Sequence, residues 1–431
     1  MTYSSAVAYL YRLQKHGIKL GLETMTALMV RLGMPQTRYR TLHIAGTNGK
    51  GSTAAMAAAV LQAAGYRVGL YTSPHLVEFR ERIRVNGEMI AESQVAQLTE
   101  RLQILCQPDL SPTFFEYTTA MAFQHFAETG VDVAVLEVGL GGRFDATNVV
   151  TPMACAVTTI SLDHQEYLGT TVSSIAFEKA GIIKPGVPVV LGRLEDAARR
   201  TIEQVARERQ APVVRINEDF RTEGERPAQF SYRGLGVQYD GLTCALEGLH
   251  QLDNAACALA LVGAAAPQGI VVTAEAVRAG LRAVNWAGRL EVVDRRPTIL
   301  LDGAHNPAAA MVVADYLTCS DRSHPSRPVV LVLGMMRDKD HRGFVEPLRG
   351  LVDEVVLTQA DLPRSATAQE LRASLEGLLP HPHVVPSLSD ALALARQLAT
   401  PDGLVCVTGS LMLVGECKAW FRGCGLSPLR G

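Results

Sequence analysis

The sequence predicts an α/β protein with one mostly parallel open sheet and a second, smaller α/β domain behind it. Three observations lead there. Short apolar runs rich in β-branched residues alternate with helical patterns along most of the chain, as in parallel sheets covered by helices. One run ends in a loop of glycines and a lysine that opens into a helix of small residues. The rhythm breaks at NWAGRLEVVDRRP (285–297), where Trp, Gly and Pro interrupt it, and then resumes.

Taken in order, the expected strands of the first domain are RTLHIAG (40–46), YRVGLYTS (66–73), VDVAVLEVG (131–139), ACAVTTI (154–160) and VPVVLG (187–192). Helical patterns lie between them at 50–64, 92–105, 113–129, 171–182 and 195–209. The Gly- and Arg-rich stretch at 213–248 reads as a small β excursion, followed by helices at 250–266 and 273–284. The second domain is expected to carry strands at 298–303, 328–334, 354–360 and 404–410, a Rossmann-like arrangement. The division falls between 1–287 and 288–431. The SDRSHPSRP loop (320–328) is the one candidate low-complexity segment.

Composition narrows the function classes. With 431 residues and 48% hydrophobic content, the chain can bury two or three cores. A net charge of −2 gives no bulk attraction to nucleic acid or to an anionic membrane. No apolar stretch reaches the roughly 18 residues of a membrane helix, and the start lacks a secretory pattern. A cytoplasmic protein that acts as a monomer is expected. Eight scattered cysteines form no C-x-x-C pair and read as small buried hydrophobes. Lysine is rare: 34 of the 41 basic residues are arginine, so lysines inside motifs carry weight.

The strongest motif is Gly46-Thr47-Asn48-Gly49-Lys50-Gly51-Ser52. Backbone N–H groups of such a loop turn toward phosphate oxygens, the helix start adds positive potential, and the lysine reaches the outer phosphates. The sheet is thus expected to be P-loop-containing. The match is imperfect, since Ile44 stands where the first glycine belongs and Ser52 comes one residue late. Ligands of open parallel sheets bind beyond the carboxyl ends of the strands. Gly46, Ser73, Glu137 and the Asp163-His164 pair all follow apolar strand cores. A carboxylate inside the run VDVAVLEVGL must be paired, protonated or metal-bound. Hard oxygen donors at Ser73, Glu137 and Ser52 suit Mg²⁺ beside a triphosphate, while His164 suits it less. In TVSSIAFEKAGII, Lys179 shares the apolar face with Val172, Ile175 and Ile182. There it either snorkels outward, or serves as a neutral amine able to capture CO₂ as a metal-holding carbamate.

The blocks GTNGKGS, YTSPHL, FFEYTTA, LEVGLGGRFDATN, SLDHQEYLG, AFEKAGIIK, HQLDNAA, GRLE and LDGAHNP, in this order, resemble the bacterial dihydrofolate synthase/folylpolyglutamate synthase family of the Mur-ligase superfamily. The resemblance implies a Mur-ligase-like P-loop domain and a smaller C-terminal domain that completes the nucleotide and glutamate sites. It implies that Gly49, Lys50, Gly51 and Ser52 bind ATP phosphates, with Asn254, Arg289 and Asp302 completing the nucleotide site. Ser73, Glu137 and His164 correspond to Mg²⁺ ligands, and Lys179 to a carbamylated lysine. Phe114, Phe115, Glu116, Tyr117, Phe144, Asp145 and Ala146 correspond to pterin-binding positions, Phe144 replacing an expected leucine. His305 and Ser410 are weaker candidates for the phosphate or glutamate end.

The implied activity is an ATP-dependent ligase. It would join L-glutamate to dihydropteroate and to the γ-carboxylate of folates through an acyl phosphate, using ATP and two Mg²⁺ ions. Lys50, Glu137, His164 and Lys179 are the expected catalytic residues. Alternatives are folate extension alone, a Mur-type ligase for another acceptor, or a nucleotide switch that forms no bond.

Overall fold

In the computed structural model the described residues are all but 14–16, 18, 20, 107–108, 322–326, 380 and 425–431, and the side chains of 320 and 321 are also left undescribed. The expected polar loop at 320–328 lies mostly outside them. The chain divides into two compact units. The first comprises 1–75, 79–245 and 251–285; the second comprises 76–78, 246–250 and 286–431.

The first unit is built on eight strands: β1 (Arg40–Ala45), β2 (Val68–Tyr71), β3 (Ile83–Val85), β4 (Glu88–Met89), β5 (Val133–Glu137), β6 (Ala154–Val157), β7 (Val189–Leu191) and β8 (Val213–Arg215). Their order is β4-β3-β2-β5-β1-β6-β7-β8. From β2 to β8 in sheet order every pairing is parallel, and the β2–β3 and β3–β4 pairings at the edge are antiparallel. β1 is central because its residues are buried on both faces, as a strand covered by helices on each side requires. The chain leaves β5 and enters β6 by crossing over β1, so the tips of β5, β1 and β6 frame a switch-point crevice.

Two features depart from the expected rhythm. The 213–248 stretch is not one excursion: β8 joins the main sheet, while β9 (Phe220–Arg226), β10 (Gln229–Gly234) and β11 (Val237–Leu242) form a separate antiparallel meander. Its middle strand, β10, alternates buried and exposed residues because only one face is covered. The second departure is inside the boundary segment, which itself contains a strand, β12 (Glu291–Arg295), antiparallel to β13 (Thr298–Leu301).

The second unit adds β14 (Val329–Leu333), β15 (Glu354–Leu357), β16 (His383–Val384) and β17 (Leu404–Thr408), in the order β12-β13-β17-β14-β15-β16. Its inner strands β14 and β17 read as near-continuous apolar runs because both faces are buried. Val329, Leu331 and Leu333 enter one core, and Val330 and Val332 the other.

Six cysteines are buried as expected of small hydrophobes, but Cys319 and Cys424 are exposed, which corrects that expectation for these two. Cys319 lies late in the helix Pro307–Asp321, and Cys424 just past the chain's last described helix, where no further layer covers them. Among the described residues no helix is long and apolar enough to cross a membrane.

Candidate active site

β1 ends at Ala45 and the loop Gly46–Gly49 turns the chain into the helix Lys50–Ala63. Two glycines make that turn possible. Gly46 has φ +148°, and a Cβ there would lie 2.0 Å from the Thr158 hydroxyl; Gly49 has φ +84°, and a Cβ there would lie 2.4 Å from Asn254 Oδ1. The loop is clamped by the chain just past β6. Thr47 N–H donates to Thr159 O (2.6 Å), Asn48 N–H to Thr159 Oγ1 (3.1 Å), and the Thr158 hydroxyl to Asn48 O (2.6 Å). Ser161 N–H donates to the Thr47 hydroxyl, which donates to Ser161 O. Sequence reasoning missed this clamp. The polar run Thr158-Thr159 after an apolar strand was its only signal.

Lys50 Nζ folds back onto two carbonyls of its own loop, Gly46 O and Thr47 O, each at 3.0 Å. Lys179 reaches the same point from far along the chain and donates to Gly46 O at 2.8 Å. The helix Val172–Ala180 puts it there, with Ile175, Ala176, Lys179 and Ala180 on the buried face. Lys179 is 5% exposed. Burial, aggravated by the Lys50 charge, drives its amine down to about 7, against the pull of Asp163 and Asp145. Near neutral pH a large fraction of this amine is therefore uncharged and nucleophilic.

Glu137 closes β5, one strand from β1, with Ile44 as its register partner. It is buried, and its Oε2 accepts the Ser73 N–H at 3.1 Å, so the β2 and β5 tips converge. Ser52 is buried on the first turn of the P-loop helix. These oxygen donors suit a hard divalent cation. His164 stands past β6 in a left-handed conformation (φ +50°), its Nε2 3.9 Å from Asp163 Oδ2 and its side chain 44% exposed. Among the described residues no three His, Cys, Asp or Glu side chains converge into a ready metal cage.

The FFEY block divides because consecutive helical residues point about 100° apart. Phe115 faces Gly139, where a Cβ would lie 2.4 Å from its ring, and packs against Tyr71 with centroids 6.0 Å apart. Phe114 stacks on Tyr11 at 5.2 Å. Glu116 forms a capping box with Thr113 at the start of the helix Phe114–Thr129, and Tyr117 donates its hydroxyl to Thr99 O (2.6 Å) in the core. Those two side chains thus have structural occupations. Asp145 does too. Its Oδ2 accepts Gly139 N–H and Leu140 N–H at 3.0 Å, and its Oδ1 accepts the N–H and hydroxyl of Thr147. Burial raises this carboxyl, and the hydrogen bonds oppose the rise. Ala146 is buried beside it, while Phe144 is half-buried under the Arg143 guanidinium at 4.6 Å.

In the second unit, Asp302 follows β13 and is buried. Its Oδ2 accepts Leu290 N–H (2.9 Å) and its Oδ1 Ala304 N–H (2.8 Å). Burial raises its carboxyl, against the charges of Arg289 and His305. Arg289 Nη1 donates to Gly288 O, and His305 Nδ1 lies 2.8 Å from Gly303 O. Ser410 caps the helix Leu411–Arg422, accepting Met412 N–H at 3.1 Å. Asn254, in the first unit, lies against Gly49 and donates to Gln251 Oε1 at 2.9 Å.

Comparison with known proteins agrees with this layout. The family model described as Mur ligase middle domain matches residues 44–262, and the one described as Mur ligase, glutamate ligase domain matches 288–411. The dihydrofolate synthase/folylpolyglutamate synthase of Bacillus subtilis is 36% identical, over 96% of this chain and 98% of that protein. The structure of Escherichia coli FolC in complex with DHPP and ADP superposes with a TM-score of 0.89 at 34% identity, covering 98% of each chain. The bifunctional folylpolyglutamate synthase/dihydrofolate synthase of Yersinia pestis, complexed with AMPPNP and Mn ion, gives 0.88 at 34% identity, again over 98% of each. The chain is therefore a member of the Mur ligase family of ATP-dependent ligases, in its dihydrofolate synthase/folylpolyglutamate synthase group.

Proposed function

We propose that this chain joins L-glutamate to dihydropteroate and to the γ-carboxylate of folates, consuming ATP and releasing ADP and phosphate. The observation that carries this reading is the meeting of two lysines on one P-loop carbonyl, beside a buried glutamate at the neighbouring strand tip. An acceptor carboxylate and ATP repel each other, and the Lys50 charge, with the cations that Glu137 and a Lys179 carbamate would hold, would let them touch.

The acceptor carboxylate oxygen attacks the γ-phosphorus, the bond to the β-phosphate oxygen breaks, and ADP leaves. Lys50, released from its own loop carbonyls, neutralises charge on the transferring phosphoryl group. The glutamate amine then attacks the acyl carbon, loses a proton, and phosphate departs as the amide forms. Gly46, Thr47, Asn48, Gly49, Gly51 and Ser52 cradle the nucleotide phosphates. Asn254 in the first unit, and Arg289 and Asp302 in the second, are the proposed further nucleotide contacts.

Divalent cations bound at this site supply charge neutralisation and orientation of the phosphate oxygens. Ser73, Glu137 and Ser52 would hold one ion, and His164 with carbamylated Lys179 a second. Phe115, the Asp145-Ala146 turn and Phe144 are the proposed pterin contacts. The substrates are small molecules, the near-neutral charge offers no bulk attraction to nucleic acid or to an anionic membrane, and we read the chain as a cytoplasmic monomer.

The deciding experiment measures ADP release with glutamate present, comparing dihydropteroate with tetrahydrofolate. Release that requires glutamate and either acceptor is expected. Release independent of both would overturn the ligase reading in favour of a nucleotide switch.

A further inference from the structure

Arg82 closes the turn between β2 and β3, where Thr72 N–H donates to its carbonyl at 3.1 Å. It is 4% exposed. Its Nε–H donates to His75 Nδ1 at 2.9 Å, and its guanidinium lies over the Phe114 ring at 5.2 Å. Because His75 Nδ1 accepts, its Nε2 carries the proton and donates to the Tyr11 hydroxyl at 2.9 Å. Tyr11 in turn stacks on Phe114. The guanidinium plane is thus held on one edge and one face.

What it lacks is a counter-charge. Among the described residues it forms no ion pair with a carboxylate, and no acceptor meets Nη1 or Nη2. Neither nitrogen is among the sealed polar atoms, so the fork reaches solvent-accessible space. Two buried acids of the same unit are engaged with backbone, Glu116 in its helix cap and Asp145 in its own loop. A guanidinium cannot shed its proton. A ring face and a neutral imidazole offset only part of the penalty for burying it. An anion arriving with the substrate would offset the rest.

The place suits the acceptor. Burial pushes the hydroxyl of Tyr71, which packs on Phe115, up to about 12, with the Arg82 charge opposing the rise and Asp145 adding to it. The tip of β2 is two strands from β1, about 10 Å at the usual strand spacing. A carboxylate held there is therefore not the one reacting at the P-loop. Resting on the ligase reading above, we propose that Arg82 is a specificity residue for folate extension. It receives, through its open fork, the acceptor's non-reacting α-carboxylate, a group folates have and dihydropteroate lacks. His75 and Phe114 are its positioning residues.

The test is a cycle of two proteins and two acceptors, tetrahydrofolate and its α-methyl ester, read as KM for the acceptor. In the wild-type chain the ester should raise KM by about 10- to 100-fold, the range of a bidentate charge-assisted pair. In Arg82→Gln the two acceptors should differ by less than about threefold, and Arg82→Lys should restore part of the difference. A wild-type enzyme indifferent to the ester, or an Arg82→Gln enzyme that still discriminates, overturns the proposal. Should Arg82→Gln not fold, Arg82→Lys carries the comparison: it keeps the charge without the fork, so undiminished discrimination refutes bidentate recognition. Absence of any glutamate-dependent turnover in the wild-type chain would instead refute the ligase reading.

Discussion

The two parallel sheets obey the same geometry yet treat their strand tips differently. In the first unit the tips bring ionisable side chains from distant parts of the chain together in burial. Lys50 and Lys179 share a carbonyl, and the Lys179 amine is driven down to about 7. In the second unit the tip residues serve their own backbone. Asp302 accepts two main-chain N–H groups, His305 meets Gly303 O, and Ser410 caps a helix. A strand tip is thus only an address. Charge held there against the solvation penalty is what marks chemistry.

The sharpest way to break this contrast is Lys50→Ala. Turnover should fall by about 10²-fold or more, as on losing a transition-state donor. ADP release at the wild-type rate would remove Lys50 from the mechanism.

Lys179 offers the next largest effect. Lys179→Ala should be nearly inactive and partly rescued by short carboxylates that replace the carbamate oxygens; full activity without them refutes the carbamate. The same residue predicts a pH signature in stability. Its folded value lies below the unfolded one, so between about 7 and the ordinary lysine range the unfolded chain binds more protons. Its burial penalty is therefore full below about pH 7 and fades as pH rises. Urea unfolding of wild type minus Lys179→Met should show stability gained from pH 7 toward 10. A flat difference would mean that the amine is not desolvated.

The smallest effect belongs to the second unit. Ser410→Ala should lower stability by about 1 kcal/mol through the lost cap, measured by denaturant midpoint. A fall in turnover well beyond that destabilisation would place Ser410 in the chemistry and erase the contrast.

The FFEY block shows where sequence reading stops. As a string it is one unit, but helical rotation sends Phe115 toward the Asp145 loop and Tyr117 into the core. The block's membership could be read from the chain, whereas its division by direction could not. Similarly, DATN reads as a loop signature, while the four hydrogen bonds that fix Asp145 appear only in the folded turn.

The chain alone determined the alternation of strands and helices, the phosphate loop and the buried acid at the end of β5. Those follow from local periodicity, glycine's backbone freedom and the price of burying a carboxylate. Tertiary structure decided the rest. It brought Lys179 onto Gly46 across 133 positions, closed the clamp of Thr158 to Ser161 over the loop, and, among the described residues, left Arg82 without an ion-pair partner. Such outcomes depend on which distant surfaces meet, and a one-dimensional pattern records which groups exist but not which of them end up facing each other without water between.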